Sequence, residues 1–117
     1  MLVRLAVFTA VVAVTLLPSA ARADNPVLVA TVGLGDGYNI SLKDASGNAV
    51  KHLDPGTYTI QVHDESTIHN FHLFGAGVDD STPIGDTADT TWMVTLQNGT
   101  YTYRCDAHPT IMRGTFT

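Results

Sequence analysis

From residue 27 to the end of the chain, apolar residues come in short runs separated by clusters of turn-forming residues, and no run repeats at helical spacing. The runs are VLVATVG (27–33), YNISLKD (38–44), TYTIQVHD (57–64), IHNFHLFG (68–75), TTWMVTL (90–96), GTYTYRC (99–105) and RGTFT (113–117). Within them apolar and polar positions alternate with period two, the spacing of side chains that share one face of a β-strand. Tyr58, Ile60 and Val62 fall on one side of their run, and Trp92, Val94 and Leu96 on one side of theirs. Both sets are expected in a core, together with Phe71 and Tyr101, because large aromatic side chains stabilise most when buried. Met93 belongs to the same core-like run.

The punctuation between runs is turn chemistry: Gly35-Asp36-Gly37, Ser46-Gly47-Asn48, Asp54-Pro55-Gly56 and Asn98-Gly99, the last a favoured hairpin dipeptide. Segment 76–91 carries four aspartates and no strong periodicity, and is expected as a crossover loop. Many short strands with such spacing predict an all-β fold, an antiparallel sandwich or barrel.

The first residues follow another pattern. Arg4 precedes an apolar run from Leu5 to Leu17, Pro18 breaks it, and Ala21-Arg22-Ala23 places small residues before Asp24. This is the layout of a secretory signal peptide cleaved after Ala23. A membrane span would need about 20 apolar residues, more than this run holds before its proline. The expected organisation is therefore a signal peptide at 1–23 and one domain at 24–117, in a protein that is secreted, extracellular or periplasmic, with no transmembrane segment after signal removal. Residues 24–117 hold all 11 acidic residues against Lys43, Lys51, Arg104 and Arg113, a net charge of −7 with neutral histidines. That sign argues against nucleic acid and anionic membranes as partners.

Cys105 is the one cysteine, whereas secreted domains usually carry cysteines in pairs. A buried inert thiol and an intermolecular disulfide are the plain readings. Its neighbours point elsewhere. Cys105-Asp106-Ala107-His108-Pro109-Thr110-Ile111-Met112 puts a thiolate, an imidazole and a thioether on one short loop directly after a strand. Soft sulfur ligands with imidazole favour copper, and trigonal His2Cys coordination with a weak axial Met needs one more histidine. His52 and His63 lie in polar surroundings and are expected at the surface; His69 and His72 are better placed.

His69-Asn70-Phe71, followed by a Tyr-x-Tyr-x-Cys strand and a Cys-x2-His-x3-Met loop, resembles the plastocyanin, amicyanin and pseudoazurin group of cupredoxins over most of residues 24–117. The HNFHLFG and CDAHPTIM stretches resemble small bacterial plastocyanin-like domains in particular. The resemblance implies a Greek-key β-sandwich and a single type 1 (blue) copper ion held by His69, Cys105, His108 and Met112. It also implies that the Asn70 side chain ties the first ligand's segment to the cysteine loop. The loop has one residue fewer between His and Met than plastocyanins and one more than amicyanins, which makes Met112 the loosest ligand assignment. Strand alternation places His72 on the face opposite His69.

The function implied is one-electron transfer between Cu(I) and Cu(II), with a redox partner protein that presents a basic docking surface, and with the chain itself a monomer. An enzyme is not expected, because copper oxidases and reductases on this fold need a second copper centre. An adhesion sandwich would bring a second cysteine. Copper delivery or storage is the remaining alternative.

Overall fold

The computed structural model describes residues 12–16 and 24–117; the expected signal peptide, apart from 12–16, lies outside the described residues. Eight strands follow in chain order: β1 (Val27–Val32), β2 (Ile40–Asp44), β3 (Gly56–Asp64), β4 (His72–Gly75), β5 (Val78–Ser81), β6 (Ala88–Leu96), β7 (Tyr101–Arg104) and β8 (Arg113–Phe116). A short 3-10 turn occupies Leu34–Asp36. The strands form two four-stranded sheets, ordered β2-β1-β3-β6 and β5-β4-β7-β8, so the fold is a β-sandwich.

Alternation in the sequence becomes burial in the fold. Tyr58, Ile60 and Val62 of β3 and Val94 and Leu96 of β6 point inward and are buried, and Trp92 packs half-buried against them. From the other sheet, Phe71 stacks on Tyr103 at 5.5 Å between ring centroids and Tyr101 stacks on Phe116 at 5.3 Å. The Tyr101 hydroxyl donates to the Ala76 carbonyl and accepts from the Gln97 N–H, so the large ring is buried without stranding its polar end.

The strand pairs are antiparallel with one exception, since β1 and β3 run parallel. The connection between β2 and β3 explains it. The Asp44 carboxylate accepts the N–H groups of Ser46 and Asn48 and turns the chain. The chain then runs beside the end of the second sheet, where Leu53 N–H donates to Thr117 O and Thr117 N–H donates to Lys51 O. It re-enters the first sheet on the far side of β1.

Three expectations need correction. Segment 76–91 is not one loop: it contains β5 and the start of β6. β5 is an edge strand paired to β4, so half of its groups face solvent and aspartates suit it. The 68–75 run is a strand only from His72, because the Phe71 N–H is taken by the Thr82 hydroxyl and not by a neighbouring strand. Met93 points away from the core and is 71% exposed, on the face of β6 opposite Trp92 and Val94.

The strand directions bring the β1–β2, β3–β4, β5–β6 and β7–β8 connections to one end of the sandwich. The expected ligands lie on two of these loops.

Candidate metal centre

The β7–β8 loop is closed by its own backbone. Cys105 N–H donates to Met112 O (3.0 Å), Met112 N–H to His108 O (3.0 Å), and His108 N–H to Cys105 O (3.2 Å). The Cys-x2-His-x3-Met spacing thus becomes a compact turn. The β3–β4 loop adds His69 from the other side. Cys105 Sγ lies 3.7 Å from His69 Nδ1 and 3.7 Å from His108 Nδ1, and the two Nδ1 atoms are 3.1 Å apart.

The triangle suits a metal ion. Bonds of about 2.0 Å to nitrogen and 2.3 Å to thiolate sulfur, at 120° to one another, separate N from S by about 3.7 Å and N from N by about 3.5 Å. His69, Cys105 and Met112 are fully buried, while His108 keeps part of its ring at the surface. His69 Nε2 is buried and has no hydrogen-bond partner among the described residues, so the polar contacts of this ring are all on the Nδ1 side, facing Cys105 and His108. The converging donors are His69, Cys105 and His108. Met112 is buried at the end of the loop, bonded through its backbone to Cys105 and His108.

The remaining histidines are elsewhere. His52 is exposed beside Asp54, and His63 pairs with Asp89 on the outer face of the first sheet. His72 lies between Asp79 and Asp106, away from the donor cluster.

Asn70 joins the two ligand loops as the resemblance implies. Its Oδ1 accepts the Asp106 N–H at 2.8 Å, and its Nδ2 donates to Asp106 Oδ2 at 3.0 Å and to Thr82 O at 3.2 Å. Asp106 receives further donors from His72 and Arg104. Burial works most strongly to raise its pKa, but the hydrogen bonds from His72, Asn70 and Arg104 outweigh that and hold it below the ordinary carboxylate value.

Several supporting residues carry no signature in the sequence. Asp64 at the end of β3 is buried and accepts from the Thr82 hydroxyl (2.6 Å) and the Ser66 N–H (3.2 Å), and the same Thr82 oxygen accepts the Phe71 N–H. Burial raises the Asp64 pKa against those hydrogen bonds. Ser66 Oγ accepts the Ile68 N–H and donates to Asp36. This chain of bonds fixes the irregular segment that presents His69. Gly33, with φ +69°, lies against it: a Cβ there would fall 2.5 Å from Ser66 Cβ and 3.2 Å from His69 Cδ2. Tyr38 sets its ring edge-on to both imidazoles, 5.1 Å from His69 and 4.8 Å from His108, while remaining exposed.

No protein-family model matches the chain, and a search of curated proteins finds no significant match. Fold and donor set together define an all-β protein of two four-stranded sheets with a His69–Cys105–His108 cluster that could hold a metal ion. That arrangement is compatible with a cupredoxin. No helix among the described residues is long and apolar enough to cross a membrane.

Proposed function

We propose that the chain is a secreted cupredoxin that binds one copper ion through His69, Cys105, His108 and, axially, Met112, and carries single electrons. The observation that carries this reading is the convergence of one thiol and two imidazole nitrogens, 3.1 to 3.7 Å apart, just beneath the loops at one end of the sandwich. A bound copper ion would supply the one-electron couple between Cu(I) and Cu(II). Cys105 contributes the soft thiolate, His69 is held from behind by the Asn70, Thr82 and Asp64 bonds, and His108 offers a ring edge to solvent. A donor set braced on this many sides changes little between two oxidation states, which suits electron transfer.

The surface around His108 fits a docking role. Leu34, Tyr38, Ile68, Ile84 and Ile111 are exposed large apolar residues on the four loops of this end. The acidic balance of residues 24–117 would attract a basic redox partner over distance.

Titrating the protein with Cu(II) is expected to saturate at one equivalent with an intense visible band, and voltammetry of that form to give a reversible one-electron wave. Several bound equivalents without a band would favour delivery or storage. The exposed Met93 thioether keeps that alternative open, although it stands on a sheet face and not on the ligand loops.

Met112→Gln is expected to lower the reduction potential, because an oxygen donor stabilises Cu(II) more than a thioether does. An unchanged potential, read by the same voltammetry, removes Met112 from the ligand set.

A further inference from the structure

His72 opens β4 on the outer face of its sheet, and its side chain is only 20% exposed. Both ring nitrogens meet carboxylates. Nδ1 lies 2.9 and 3.0 Å from the two oxygens of Asp106, and Nε2 lies 2.6 Å from Asp79 Oδ1. Ionised carboxylates only accept hydrogen bonds, and a neutral imidazole carries one N–H. Two such contacts therefore require a hydrogen on each nitrogen. Asp106 has no free oxygen for a proton of its own, since Arg104 Nε donates to Oδ1 at 3.1 Å and Asn70 Nδ2 to Oδ2 at 3.0 Å.

The charged groups facing His72 are Asp79 from β5, Arg104 from β7 and Asp106 from the ligand loop, so with an imidazolium the cluster holds two positive and two negative charges. Phe74 packs on the His72 ring at 4.9 Å and under the Arg104 guanidinium at 5.0 Å. Asp106 is the link to the metal centre. It follows Cys105 directly and is bonded twice to Asn70, the neighbour of His69.

We propose that His72 is a positioning residue of the metal centre, held as an imidazolium between Asp79 and Asp106 and so fixing the loop that carries Cys105 and His108. The positioning role rests on the copper reading; the charge state does not. Burial is the largest influence on His72 and disfavours its charge, but the hydrogen bonds and charges of Asp106 and Asp79 outweigh it and raise the pKa above the ordinary 6.5. A raised folded-state value means that the contribution to stability is fully present below about pH 6.5, the unfolded value, and fades as pH rises through the folded value. The same deprotonation removes a positive charge near the metal, which favours Cu(II) and lowers the potential.

Nitrogen NMR of the metal-free full chain is expected to show both His72 nitrogens protonated at neutral pH, with a deprotonation midpoint that Asp79→Asn shifts downward. A neutral single tautomer at pH 7 overturns the proposal. In the same metal-free protein, His72→Gln is expected to accelerate hydrogen exchange at the Asp106 and Met112 amides, whereas unchanged exchange refutes the positioning role even if the protein binds no copper. In the copper-loaded protein the potential is expected to step down as pH passes the His72 midpoint. His72→Gln should abolish that step, and a step surviving the substitution counts against the inference.

Discussion

Cys105→Ser is expected to remove the intense visible band of the copper-loaded protein completely and to weaken copper binding by more than the ~10–100-fold typical of losing an outer-shell partner. The Cys105 sulfur stands 3.7 Å from each Nδ1, at a corner of the donor triangle, and supplies its one thiolate. Serine offers a hard, protonated oxygen in its place, unsuited to Cu(I) and without the sulfur-to-copper transition. Cys105 is fully buried, and the shorter C–O bond of serine draws its oxygen back from the two imidazoles, so a hydroxyl left there without a hydrogen bond also costs about 1–3 kcal/mol of stability in the metal-free protein. Absorption spectra and denaturant midpoints separate the two effects. A serine variant that stayed coloured would refute the thiolate assignment.

The second large effect is expected at a residue that touches no metal. Gly33 and Gly35 both sit in the left-handed region, at φ +69° and +62°, but a Cβ at Gly33 meets Ser66 and His69 whereas a Cβ at Gly35 meets nothing within 4 Å. Alanine at either position costs roughly 1–2 kcal/mol of backbone strain. Gly33→Ala adds about 1–3 kcal/mol of overpacking against the His69 segment. Gly35→Ala is thus the control: both variants lose stability, and only Gly33→Ala loses copper affinity as well. Equal affinities in the two would mean that the Gly33 contact does not position His69.

Most of the sandwich was legible because its inward faces are written as alternation, as with Tyr58, Ile60 and Val62 on β3. β5 was not, because Val78 is its one apolar residue and its strand character comes from pairing with β4. Met93 lies in an apolar run, but with Trp92 and Val94 inward the alternation turns it outward. The β7–β8 loop announced Cys105, His108 and Met112 by local spacing, and the family pattern singled out His69 and Asn70. Gly33, Asp64 and Thr82 had no such signal, because each matters only through contacts with residues distant in sequence. Alternation alone turns His72 to the outer face, yet its two carboxylate partners are visible only once β5 and the ligand loop are folded against it.

The placement of the donors along the chain also bears on when the site can exist. Cys105, His108 and Met112 span one short loop, but His69 lies 36 residues before Cys105 and reaches it only after β4 and β7 have paired. An unfolded chain can offer a metal the loop fragment alone, with no second imidazole nearby. A metal ion bound there would therefore distinguish the native chain from its precursors and act on the folding equilibrium by mass action, adding about 2.7 kcal/mol when free metal is 100 times its dissociation constant. Such an ion would be a late arrival that locks a sandwich already built, and its loss would open a route back toward unfolding.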